Sequence, residues 1–259
     1  MQDMLIEPIK PCNIQLTFDI ISRPAYKNSD LSSSERISEL FADDEFKDYM
    51  QKFWPKFVAI ANAMCTHNNR ISQEVGKLRE RALIYLLYRF LGEDINECPI
   101  DDNSIGVHEK EKDVVIFGKD VSIKTLTGKN GKYSPLKLSW VDDQDKAKEF
   151  IDNFKPTCDL LVACIDWGNI ANIYYIDCKT QADVLDNLPA DKRLVLAKGY
   201  TKGTRLHKDS WEKIISHPNT LKLPFLFPVE EKNNNRIDQF WDEQYLKIDK
   251  NQIADELDM

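Results

Sequence analysis

Asp113 and Lys124 bracket a stretch whose pattern brings an acid and an amine together. Residues 114–117 and 121–126 are apolar-rich runs split by Gly118 and Lys119. Glycine at the first position of a two-residue loop suits a type II′ turn, so the stretch reads as a β-hairpin. With the turn on Gly118 and Lys119, Phe117 pairs with Asp120, Ile116 with Val121, Val115 with Ser122, and Asp113 with Lys124. Directly opposed residues share a face, with Cβ atoms about 5 Å apart. A carboxylate, a hydroxyl and an ammonium then converge. A carboxylate holds a hard divalent cation, and a neighbouring lysine orients water or stabilises charge on phosphate. These groups suit metal-dependent cleavage of a phosphodiester.

The flanking elements must hold that hairpin. Residues 32–35 offer helix caps, and residues 46–63 carry apolar side chains at helical spacing. The clearest helix spans 72–91, where Val75, Leu78, Ala82, Leu86 and Phe90 form a stripe widened by Leu83 and Leu87. Ser72 suits its N-cap and Gly92 its end. Strands are expected over 114–117, 121–126, 159–166, 173–177 and 194–197, and helices over 142–154 and 208–216. Residues 127–132 read as a turn, and Pro224 and Pro228 as breaks in the segment after the last helix. The order of elements implies an α/β fold with a helical N-terminal elaboration. We expect residues 1–70 to form a helical region packed on a core of residues 71–259, in one continuous domain.

Composition narrows the class. The 259 residues are 42% hydrophobic and 30% charged, as in globular proteins. No apolar run reaches the ~20 residues of a membrane helix, and no signal peptide is legible at the N-terminus. Six cysteines without a CxxC pair argue against zinc and for a reducing cytoplasm, with Cys164 and Cys178 read as buried thiols in strands. The net charge of −8 hides two basic stretches. One holds Lys124, Lys129, Lys132 and Lys137. The other holds Lys192, Arg193, Lys198, Lys202, Arg205 and Lys208. A local positive field matters more for phosphate than total charge. The four histidines show no metal spacing, and no P-loop, GxGxxG or HExxH occurs, so no nucleotide cofactor is expected. Tyr85 and Tyr88 read as packing residues.

The hairpin resembles the PD-(D/E)xK nuclease superfamily, in which an aspartate opens one strand and an acidic-x-lysine tripeptide lies on the next. Here Asp113 is followed by Ser122, Ile123 and Lys124, with serine where the family has an acid. The resemblance implies a restriction-endonuclease-like mixed β-sheet flanked by helices, and Mg²⁺ held by Asp113, the Ile123 carbonyl and a helix glutamate. A glycine-then-glutamate spacing from Gly76 makes Glu80 that glutamate, with Glu74 as the alternative. Lys124 would position water or stabilise the phosphate, and Ser122 would orient water or the lysine. The family reading is a type II restriction endonuclease cutting double-stranded DNA to 5′-phosphate and 3′-hydroxyl ends, as a homodimer. A junction resolvase or repair nuclease, a non-catalytic DNA-binding protein on the same fold, and an α/β interaction domain are the alternatives.

Two further stretches need weighing. Asp177, Cys178 and Lys179 repeat the tripeptide form with Asp166 upstream, but a turn on Gly168 and Asn169 would leave Lys179 roughly 20 Å from Asp166. That pair reads as structural. Residues 198–211 resemble the late basic loop and helix of type II restriction enzymes. Thr204, Arg205 and His207, with Lys198 and Lys202, are candidate DNA contacts there. Lys129, Lys132 and Lys137 are candidates in the earlier loop.

Overall fold

Ser32 accepts the Glu35 backbone N–H, while the Glu35 carboxylate accepts the Ser32 N–H at 2.8 Å. This capping box starts α1, Ser33–Ala42. Asp43 accepts the Phe46 N–H at 2.7 Å and opens α2, Asp44–Met64. A short antiparallel pair, β1 (Thr66–His67) and β2 (Arg70–Ile71), leads to α3, Val75–Leu91. This helix begins later than the sequence pattern suggests, with Glu74 at its N-cap, and Ser72 lies outside the described residues. Gly92 ends it with φ 63°, a left-handed conformation that glycine adopts without strain. The computed structural model describes residues 25–67, 70–71, 74–97, 112–139, 143–197 and 203–228. All fall within one compact unit, Pro24–Glu231.

The strands follow as β3 (Ile95–Glu97), β4 (Val114–Ile116), β5 (Lys119–Lys129), β6 (Lys132–Tyr133) and β7 (Lys137–Ser139). Next come α4 (Gln144–Asn153), β8 (Asp159–Ile165), β9 (Ile170–Ile176) and α5 (Cys178–Asp186). The series ends with β10 (Leu194–Leu196), β11 (Thr204–Leu206), α6 (Lys208–Ser216) and β12 (Leu221–Leu226). The main sheet runs β12-β9-β8-β5-β4-β3, with β6 also paired to β5. β5 and β8 are parallel and the other pairs antiparallel, so the sheet is mixed, as the resemblance implies. β8 is buried along its whole length, which fits its unbroken apolar run. A second sheet orders as β10-β11-β7.

Helices cover both faces of the main sheet. Ile116, Leu161, Ile173 and Tyr175 meet Ile37, Leu40, Phe46, Leu83 and Leu87 around a small apolar cavity, which puts α1, α2 and α3 on one face. Tyr174 points to the other face and meets Trp211 of α6 edge-on at 5.8 Å. The N-terminal helices share this core, with Met50, Trp54 and Val58 fully buried in it.

Three sequence expectations change here. Pro224 sits inside β12 instead of breaking it. β12 is an edge strand, and Gln51 bonds both the N–H and the C=O of Leu226, each at 2.7 Å. Residues of Leu226's parity therefore turn their backbone outward, and Pro224 loses no ladder bond. Residues 178–186 form α5, capped by Asp177 accepting the Thr180 N–H at 2.5 Å. Cys178 is thus on a helix and half-buried, whereas Cys164 is a buried strand thiol. Tyr85 packs on Phe57, but Tyr88 is exposed. Among the described residues no helix is long and apolar enough to cross a membrane.

Candidate active site

The β4–β5 turn falls on Phe117 and Gly118, with φ of 48° and 82°. Two successive positive φ values make it type I′, not the type II′ turn expected on Gly118 and Lys119. Phe117 tolerates this conformation because its side chain is buried. Its ring lies under the Arg36 guanidinium, 4.1 Å from the centroid, and 6.3 Å from the Tyr26 ring. Its N–H donates to the Asp94 carbonyl at 2.9 Å, and the Asp94 carboxylate is held by Lys27 and Arg36 at 2.9 and 2.6 Å. Val114 consequently faces Val121 where the sequence register puts Ile123. The slip is even, so each side chain keeps its face.

Asp113 therefore lies beside Ser122, with Lys124 on the diagonal. Asp113 Oδ2 accepts the Ile123 N–H at 2.6 Å and the Ser122 hydroxyl at 3.1 Å, and lies 3.7 Å from Lys124 Nζ. Ser122 is buried, so its hydroxyl serves to fix Asp113. β4 begins at Val114, the partner of Val121, so among the described residues no strand pairs the next part of this β5 edge. The Val121 carbonyl accepts the Asp113 N–H, and the Ile123 N–H meets the Asp113 carboxylate. Two residues on, the Thr125 N–H donates to Glu80 of α3. Alternate residues of a strand turn their backbone groups to the same edge. The Ile123 carbonyl thus lies on that edge, between the two carboxylates.

Burial pushes the Glu80 carboxyl up from 4.5 to about 7. The Lys124 ammonium and the Thr125 N–H oppose that rise, and the Asp113 charge adds to it. The structure therefore brings Glu80, Asp113, Ser122, Ile123 and Lys124 together. Glu74, at the helix start, is exposed and lies about 9 Å along the axis from Glu80. Among the described residues no group of three or more His, Cys, Asp or Glu side chains is placed to hold a metal.

Asp166 and Lys179 do not form a rival site. Asp166 is buried and accepts the backbone N–H groups of Asn130 and Gly131 at 3.2 and 2.6 Å, and the Asn169 amide at 2.9 Å. It holds the β5–β6 turn, while Lys179 is exposed in the first turn of α5. Asp166→Asn turns an amide toward two N–H donors. It should cost about 1–3 kcal/mol of stability, read as a lowered Tm, and change cleavage less than about 3-fold. A loss of about 100-fold at a temperature where the variant is folded would return Asp166 to the chemistry.

The basic positions divide. Lys129 and Lys132 are exposed on either side of the β5–β6 turn, which begins at Asn130 because β5 runs on to Lys129. Lys137 and Arg205 are register partners across β7 and β11. Thr204 is fully buried, its hydroxyl 2.8 Å from that of Ser139, so it braces the small sheet instead of facing solvent. His207 caps α6, its Nδ1 accepting the Asp209 N–H at 3.1 Å. Lys198 and Lys202 lie outside the described residues.

Sequence patterns point to none of the groups that steady this site from behind. The Thr125 N–H is a backbone donor without a signature. Arg79 reads as one more polar residue on a helix, yet it is buried and bonds Asn62 and Thr127.

A family model described as restriction endonuclease ThaI matches residues 40–243, a span that holds all of these site residues. A solved structure entitled "Restriction endonuclease in complex with substrate DNA" is similar to the chain at 28% identity and a TM-score of 0.66, covering 80% of this chain and 99% of that one. No curated protein matches the chain.

Proposed function

The chain belongs to the restriction endonuclease ThaI family, and from that membership we propose that it is a Mg²⁺-dependent, site-specific endonuclease of double-stranded DNA that acts as a homodimer. The observation that carries this reading is the β5 edge, where two carboxylates sit on successive outward N–H groups with an ammonium 3.7 Å from one of them. The solved structure similar to this chain was determined with its substrate DNA.

Glu80, Asp113 and the Ile123 carbonyl offer oxygen donors only, which suits a hard divalent ion. Two carboxylates are as many as Mg²⁺ sites acting on phosphates commonly use. When bound, the ion would supply Lewis-acid stabilisation of phosphate charge and a more acidic water. The protein's own groups do the positioning. Ser122 and the Ile123 N–H fix the Asp113 carboxylate, and the Thr125 N–H fixes that of Glu80. Asp113 holds the Lys124 ammonium where it orients the attacking water and stabilises the charge developing on phosphate. Lys129, Lys132, Lys137 and Arg205 supply positive charge for the DNA backbone. The family chemistry leaves 5′-phosphate and 3′-hydroxyl ends, and a palindromic site matches a two-fold dimer.

Digestion of a mapped plasmid with Mg²⁺, followed by end sequencing, tests the proposal. Discrete fragments with one sequence at every end are expected. Cutting confined to branched DNA would replace this reading with a junction nuclease, and salt-sensitive binding without cutting would replace it with a non-catalytic DNA-binding protein.

A further inference from the structure

Arg79 directly precedes Glu80 in α3, and its side chain turns inward where that of Glu80 turns to the β5 edge. Arg79 is 7% exposed, and so is Asn62 of α2. The Asn62 side-chain oxygen accepts from Arg79 Nε at 2.9 Å and from Nη2 at 2.5 Å. Arg79 Nη1 donates to the Thr127 hydroxyl of β5 at 2.8 Å. Thr127 lies two residues beyond Thr125, whose N–H holds Glu80.

From this arrangement we infer that Arg79, with Asn62 and Thr127, is a positioning device that sets the rotation of α3 and so delivers Glu80 to the β5 edge. The apolar face of α3, with Leu83, Leu86 and Leu87 buried, holds the helix on the sheet but defines its roll loosely, because hydrophobic contact is non-directional. A helix with side chains has a radius of about 5–6 Å, so a roll of about 10° moves a surface carboxylate by about 1 Å. An error of about 1 Å costs roughly 100-fold in a catalytic site. Arg79 and Glu80 attach neighbouring helix positions to points about 7 Å apart on one strand, which stops that roll. Asn62 ties the same guanidinium to α2 and fixes the third side.

The inference rests on Glu80 being a metal ligand, and the test separates the two claims. Mn²⁺ binding to the full-length, DNA-free protein is followed through the EPR signal of free Mn²⁺, with Tm measured in parallel. Glu80→Ala should lose Mn²⁺ binding. Thr127→Val keeps the shape of an exposed side chain and removes the hydroxyl. It should weaken Mn²⁺ about 10-fold, within the range seen for groups that orient metal ligands, while Tm falls by only a few degrees and the variant stays folded at the assay temperature. Its half-saturating Mg²⁺ for cleavage should rise by the same factor, with the maximal rate recovered at high Mg²⁺. Thr127→Ser should behave as the parent protein. Parent-like Mn²⁺ and Mg²⁺ dependence in Thr127→Val, beside a Glu80→Ala that has lost binding, would overturn the positioning role alone. Unchanged Mn²⁺ binding in Glu80→Ala would overturn the ligand assignment and the positioning role with it.

Discussion

Lys124→Ala is expected to lower the single-turnover rate of DNA cleavage by at least about 1,000-fold while leaving DNA affinity within a few-fold. Removing one preorganised donor to a developing oxyanion costs about 100- to 1,000-fold in kcat, and in the proposed mechanism Lys124 also orients the nucleophile, which sets the expectation at the upper end. The structural cost is small. Asp113 keeps the Ile123 N–H at 2.6 Å and the Ser122 hydroxyl at 3.1 Å, so the β4–β5 hairpin retains its shape without the ammonium. Lys124 is one cation among several, and losing one phosphate contact reduces the salt slope of binding by about 1. Lys124→Arg should recover only part of the rate, because a guanidinium fork replaces a compact ammonium. Binding is measured by gel shift with Ca²⁺ and cleavage with Mg²⁺ on the same DNA. Complete plasmid cutting by Lys124→Ala would remove Lys124 from the chemistry.

The acid–lysine face survived its misplaced turn for a simple reason. The two candidate turns differ by an even slip of register, so Asp113, Ser122 and Lys124 stayed on one face although Asp113 changed its neighbour from Lys124 to Ser122. The turn itself was not legible locally. Phe117 sits in a left-handed conformation because Arg36 and Tyr26, remote in sequence, enclose its ring. Local patterns are legible: α6 covers the expected residues 208–216, with His207 capping its start and His217 its end. Pro224 reads as a break because only the finished sheet shows that its strand is an edge. In the sequence, a spacing resemblance favours Glu80 over Glu74. The meeting of α3 with the β5 edge, which brings Glu80 near Asp113 and Lys124, exists only in three dimensions.

Glu80→Gln is expected to abolish cleavage and, in the absence of metal, to stabilise the protein above neutral pH. Burial raises the Glu80 carboxyl from 4.5 to about 7, so the folded chain holds this proton more tightly than the unfolded chain. The contribution of Glu80 to stability is therefore most favourable below pH 4.5. It declines as pH rises toward 7, and the full penalty of a buried carboxylate persists above that. A rise of this size penalises the ionised folded state by about 3 kcal/mol, and residual solvent screening brings it nearer 2 kcal/mol. Glutamine keeps the volume and still accepts the Thr125 N–H, but carries no charge. In EDTA at pH 8 the variant should melt about 4–8 °C above the parent chain, and near pH 5 the two should converge. Added Mg²⁺ should raise the Tm of the parent chain and leave the variant unmoved, because in the proposed site only the carboxylate completes the oxygen set. A carboxylate kept for packing gives the opposite pattern, a variant less stable at pH 8 with cleavage intact. A stabilising substitution that destroys activity marks a charge held in an unfavourable place for the sake of the reaction.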